Sequence, residues 1–183
     1  MDIQSFFPSV TRTKVHRALK RLGFSQDDAL EITRASTVAK DDGKFGLPFG
    51  FVQSMVLASA ALDRSQVGKQ LRAAGEFDVK VSVYVDDILL SAALDSHLSA
   101  YMVALVGAGD AAGYRFNPGK MSGPGPLAEA FNILVSGGNL LVNDARMAKF
   151  EDVVRFGAPE TAGAIIRYVQ TINRGQAKWL SSL

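Results

Sequence analysis

Two adjacent aspartates, Asp86 and Asp87, stand between apolar flanks in VSVYVDDILLSA, residues 81–92. The flanks carry the β-branched and apolar residues that strands bury. Two like charges side by side repel each other at such a place. A hairpin turn is one reason for aspartate there, because its side chain can cap its own backbone. A hard divalent cation with oxygen ligands is another, since it would hold the two charges together. A third carboxylate, Asp2 in DIQSFFPSV, lies at a second candidate strand end. Three carboxylates from two neighbouring strand ends suit two Mg²⁺ ions about 4 Å apart, which can clamp the attacking and leaving oxygens of an in-line phosphoryl transfer. That is nucleotidyl-transfer chemistry.

The elements around these residues alternate in type. Residues 1–8 read as a strand end or loop. Thr13 is positioned to cap a helix running to about Leu22, with Gly23 as its stop. Ser25 caps a second helix, QDDALEITRAST, and residues 40–50 are turn-rich. Apolar residues at helical spacing predict one long helix from Val52 to Ala74, closed by Gly75. KVSVYVDDILLSA reads as a hairpin with the two aspartates at or beside its turn. A helix follows over Ser96–Ala112, ended by Gly113, then a loop with a short strand in YRFNPGKMSGPGP. FNILVSGGNLLVN reads as a second hairpin turning at Gly137-Gly138, and the last 40 residues read as helices. Helices mixed with hairpins predict an α+β domain whose antiparallel sheet is packed on helices.

Composition sets looser bounds. The chain has 183 residues, 48% of them hydrophobic, enough for one cored domain or large subdomain. It contains no cysteine, which removes disulfide frameworks and thiolate metal sites from consideration and fits a reducing compartment. No apolar run reaches the roughly 18 residues of a membrane span. The N-terminal stretch has no secretory signal, so the expected location is cytoplasmic and away from membranes. The net charge of +2 neither demands nor excludes nucleic acid. The cations are uneven, however: TRTKVHRALKR, residues 11–21, holds five Lys or Arg, a His and no acid. A solvated helix face and a surface that tracks phosphates would both look like this.

Five segments taken together carry a resemblance that covers nearly the whole chain. DIQSFFPSV, GLPFGFVQSMVLAS, YVDD, AAGYRFNPGKM and FNILVSGG resemble, in that order, motifs A to E of the reverse transcriptase palm. The resemblance implies a polymerase palm over residues 1–142 and the beginning of a helical thumb over 143–183, with the fingers region missing. A truncated chain, a gene fragment or one part of a split enzyme would have this content, and a separate fingers-containing segment or subunit is then an implied partner. The motif set is most similar to bacterial enzymes of the group II intron, retron and defence-associated abortive-infection branches.

Roles follow by position. Asp2 and Asp86 match the metal ligands of motifs A and C, the Ile3 carbonyl matches a further ligand, and Asp87 matches the second motif C aspartate. The implied cofactor is a pair of Mg²⁺ ions, with Mn²⁺ able to substitute. Phe7 takes the steric-gate position, where an aromatic ring leaves no room for a ribose 2′-OH and so selects dNTPs. Phe6 reads as core. Gly50 and Ser54 match motif B at the start of a helix, where Gly permits close backbone approach to the nascent base pair. The sequence departs from the family here: Phe49 stands where Gln is usual and Met55 where Pro is usual. Tyr84 matches the motif C aromatic beneath the primer end. Lys120 matches the motif D lysine that supports the departing pyrophosphate. Asn117 falls in motif D without an assigned role.

The implied activity is DNA synthesis from dNTPs on an RNA template with a DNA primer, in a retroelement or antiviral defence setting. Template-independent DNA synthesis, as in some defence enzymes, is the alternative within the same chemistry. A palm that binds or scaffolds without catalysis is the alternative outside it.

Overall fold

The computed structural model describes all residues, Met1–Leu183. They fall into two compact units, Met1–Pro124 and Gly125–Leu183, each an α+β assembly with its own apolar core.

The first unit begins with an extended stretch that turns at once into a short helix, α1 (Phe6–Ser9), where the sequence suggested only a strand end or loop. Ser5 in the left-handed region (φ 49) makes the turn. Helix α2 (Arg12–Arg21) starts one half-turn earlier than expected, because the Thr11 hydroxyl, not Thr13, accepts from the Lys14 N–H. Helix α3 (Gln26–Ser36) is capped by Ser25 as expected. The turn-rich stretch holds a small ribbon, β1 (Val38–Ala39) against β2 (Phe45–Gly46).

The long helix expected over 52–74 is two helices, α4 (Val52–Asp63) and α5 (Gln66–Arg72). Ser65 divides them. Its hydroxyl donates to the Leu62 carbonyl and accepts from the Gly68 N–H, so one side chain closes one helix and caps the next.

Strands β3 (Lys80–Tyr84) and β4 (Asp87–Ser91) form the expected hairpin, with Val85 and Asp86 as its turn. Val85 has φ 59, a conformation that a β-branched residue adopts only under strain. Residues 1–4 run antiparallel along the other side of β4: Asp2 stands opposite Asp87, and the Ile3 N–H donates to the Asp86 carbonyl at 3.1 Å. Residues 115–117 complete the sheet, with the Gln4 N–H donating to Arg115 (2.8 Å) and the Asn117 N–H to Asp2 (2.9 Å). Alternation along the first stretch assigns the two faces. Ile3, Ile88 and Phe116 are buried in the helix-side core, while Asp2 and Asp87 share the opposite face.

Helix α6 (Asp95–Ala112) underlies this sheet and stops at Gly113. The contact is close. A Cβ on Gly109 would lie 2.9 Å from the Phe116 ring, so only glycine lets α6 approach the 115–117 strand this tightly. Buried Tyr101 from α6 donates its hydroxyl to the Gln70 carbonyl, tying α6 to α5.

The second unit contains a three-stranded meander, β5 (Leu127–Ala130), β6 (Ile133–Ser136) and β7 (Asn139–Val142). The Gly137-Gly138 turn is as expected; β5 and its turn at Phe131-Asn132, both at positive φ, were not anticipated. Three helices follow, α7 (Asp144–Phe156), α8 (Pro159–Ile172) and α9 (Arg174–Leu180). Asn173 separates α8 from α9 and caps α9 by accepting from the Gln176 N–H. The Gln176 side chain then bonds both the N–H and the carbonyl of Val142, each at 2.8 Å, satisfying the outer edge of β7.

Candidate active site

The sheet register decides which side chains can meet. Met1 and Ile88 exchange backbone hydrogen bonds, so the next pair, Asp2 and Asp87, is a non-hydrogen-bonded antiparallel pair. At such pairs the strands come closest and directly opposed side chains share a face. Asp87 also pairs with Tyr84 across the β3–β4 hairpin, and Asn117 follows Asp2 in register on the far side. Tyr84, Asp87, Asp2 and Asn117 thus form one row across four extended segments. Asp86 stands beside that row, on the hairpin turn.

Lys120 joins the row from outside the sheet. Its Nζ lies 3.1 Å from Asp2 Oδ2, and Asp2 is almost wholly buried while Lys120 is exposed. The turn Asn117-Pro118-Gly119-Lys120 makes this reach possible: the Asn117 side chain accepts from the Gly119 N–H at 3.1 Å, while its backbone N–H is held by Asp2. Sequence reasoning left Asn117 without a role. The Asn-Pro-Gly run was the available signal, since Asx turns use this chemistry.

The electrostatics follow from the crowding. Partial burial, first of all, pushes the Asp86 carboxyl above the ordinary aspartate value, and the charges of Asp2 and Asp87 add to the shift. Its own backbone hydrogen bond and the Lys120 charge oppose it. Lys120 moves up from the ordinary lysine value because of its hydrogen bond to Asp2 and the attraction of all three carboxylates. The trio therefore needs a cation, and the lysine supplies one.

The motif B residues form a second group. The Phe7 ring meets the Phe49 ring edge-on, with centroids 5.1 Å apart, and Phe49 remains 71% exposed. Phe6 is buried against Tyr114, in the core as expected. Gly50 has φ 85, which only glycine adopts without strain, so the chain can turn sharply into α4. The buried Ser54 hydroxyl donates to the Pro48 carbonyl at 2.8 Å, fixing that turn from within the helix. Phe51, Val52, Met55 and Val56 extend an exposed apolar surface from Phe49 along α4.

Three hard carboxylates with the Ile3 carbonyl nearby are a donor set suited to Mg²⁺. The side chains do not converge on one point as a preformed ligand cluster; the ammonium of Lys120 holds Asp2 instead. The donor chemistry fits the ion, and the lysine marks where positive charge is needed.

A polymerase palm is what this sheet, its row of carboxylates and its helical underside resemble. The chain belongs to the reverse transcriptase (RNA-dependent DNA polymerase) family, whose model matches residues 1–124. That range coincides with the first unit. None of the curated proteins matches the chain. No helix is long and apolar enough to cross a membrane.

Proposed function

We propose that this chain is the palm of a polymerase that builds DNA from dNTPs on an RNA template, with residues 143–183 as the beginning of its thumb. The single observation that carries the reading is the register that places Asp2 opposite Asp87, beside Asp86, with Lys120 on Asp2. Asp2 and Asp86, with the Ile3 carbonyl, would hold two divalent ions, and Asp87 stands beside them. Once bound, such ions neutralise the transferring phosphoryl group and activate the attacking hydroxyl.

The chain's own residues do the rest. Lys120 gives up its hold on Asp2 and offers positive charge and a proton to the leaving pyrophosphate. Phe7, braced by Phe49, occupies the space a ribose 2′-OH would need. Gly50 and Ser54 shape the backbone that faces the nascent pair. Tyr84, in the carboxylate row and largely exposed, supports the primer end. The motif B sequence GLPFGFVQS supports placement among bacterial defence-associated enzymes. The template, primer and dNTP are the implied partners.

The test is incorporation of labelled dNTP with Mg²⁺, with and without a primed RNA template, by this chain and by a version joined to a fingers segment. Template-dependent product establishes reverse transcription. Product without template assigns the untemplated chemistry, and no product from either version overturns the catalytic reading in favour of a scaffold.

A further inference from the structure

A second charged feature lies among the helices of the first unit. An open groove of ≈ 580 Å³ is bordered by Lys14, Arg17 and Arg21 on one side and by Arg64, Lys69 and Arg72 on the other. No carboxylate lines it. The first three cations recur at helical spacing and form one stripe of α2; Lys69 and Arg72 repeat the pattern on α5. This is the basic run of residues 11–21 that the proposed catalysis leaves without a purpose.

The six cations are not equivalent. Lys14 donates to the carbonyls of Ser9 and Gly113, and sits 3.5 Å from the Tyr114 ring centre. Arg21 donates to the Arg64 carbonyl, while Arg64 and Arg72 both pair with Asp63 at the rim. The side chains of Arg17 on the α2 wall and Lys69 on the α5 wall make no ion pair or hydrogen bond. Four cations are thus anchored and two are held ready, one on each wall.

The floor says what kind of anion fits. It consists of Ala18, Ala61, Ala111 and Ala112, so it offers neither a deep apolar pocket nor an aromatic ring. A protein partner gains its affinity from large side chains seated in pockets, and none exists here. A flexible single strand gains its affinity from bases stacked on aromatics, and those are absent too. Charge without stacking or pockets suits the backbone of a paired nucleic acid, where phosphate contacts hold and position the helix without reading its sequence.

We propose that this groove is a second nucleic-acid site that grips the phosphate backbone of a duplex, outside the carboxylate row. RNA and DNA duplexes share the chemistry it recognises.

Binding of labelled RNA and DNA duplexes to the full chain, across a salt series without dNTP or divalent metal, tests the proposal independently of any synthesis. Arg17→Gln/Lys69→Gln should weaken binding and reduce the slope of log affinity against log salt by about 1.8 for a DNA duplex, at about 0.9 per phosphate contact. Arg17→Lys/Lys69→Arg should keep the slope. Lys20→Gln/Arg34→Gln removes the same charge from other helix faces and should change the slope far less. Whichever duplex shows the larger loss is the natural source. An unchanged slope in the first variant, or an equal loss in the third, overturns the proposal. So does displacement of the duplex by polyglutamate of equal charge as effectively as by unlabelled duplex, which would assign the groove to an acidic protein. An unaltered circular-dichroism melt confirms that each variant is folded.

Discussion

The Lys120 ammonium lies 3.1 Å from the Asp2 carboxylate, across 118 residues of chain. A divalent ion and this lysine compete for the same oxygens. Lys120→Met should therefore raise the apparent affinity for Mg²⁺, read as a thermal midpoint that responds at lower Mg²⁺ concentration. The same variant should slow nucleotide incorporation by about 10²-fold, the low end of what a positioned acid contributes. A variant with unchanged rate and unchanged Mg²⁺ response would remove Lys120 from the site.

Asp87 faces Asp2 at the closest kind of strand pair, so its charge is felt by the whole trio. Asp87→Asn should reduce incorporation by on the order of 10³-fold, several kcal/mol of lost charge stabilisation. Duplex binding should persist, because the groove cations are untouched. Synthesis at the wild-type rate would sink the assignment of the carboxylates.

Phe7 and Phe49 brace each other edge-on. Phe7→Ala should admit rNTPs, measured as the ratio of kcat/KM for dNTP and rNTP. Phe49→Ala removes only the brace, worth about 0.5–1.5 kcal/mol in such ring pairs, so discrimination should fall by no more than about tenfold. Unchanged ratios in Phe7→Ala would reject the gate.

Gly109 is where α6 touches the 115–117 strand. Gly109→Ala would press a methyl group into the Phe116 ring. The expected cost is about 1–3 kcal/mol of overpacking. At about 2–4 °C per kcal/mol for a chain of this size, the thermal midpoint should drop measurably. Asn117, the next residue after Phe116, should shift with the strand, so incorporation should fall more than stability alone explains.

Burial lowers the Lys14 pKa to about 8 from 10.5. Between those values the unfolded chain binds the extra proton, so this group makes stability rise with pH through the window. The two carbonyls and the Tyr114 ring favour the ammonium and oppose the burial, and the steepness of the rise reports the balance. Lys14→Met should flatten the curve of thermal midpoint against pH over this range. Parallel curves for both proteins would show that Lys14 keeps its ordinary pKa in the fold.

Local chemistry made much of this architecture legible. The β3–β4 hairpin followed from alternating apolar residues around two aspartates at or beside its turn, and the end of α6 followed from Gly113. Capping competition was harder to see: Ser65 lies in a stretch with good helical spacing, and only its two hydrogen bonds reveal that it divides α4 from α5. Strand β5 was hidden because its turn uses Phe131-Asn132 rather than a glycine pair. Within the site, the residue types pointed to Asp2, Asp86 and Asp87. The contact of Lys120 with Asp2 and the bracing of Phe7 by Phe49 depend on register and on α1, which no local pattern encodes.

The stretch that carries Asp2 pairs with nothing near it in sequence. Its hydrogen bonds run to Asp86 and Ile88 on one side and to Arg115 and Asn117 on the other, and Met1 and Ile88 are 87 positions apart. During synthesis this stretch has no partner until the β3–β4 hairpin has emerged, and its second side stays open until α6 has followed. The helices can form early from local contacts, whereas closing such long loops is slow. The carboxylate row is thus among the last parts of the unit to assemble, and a ribosome-bound chain cannot complete that row until Asn117 has been made.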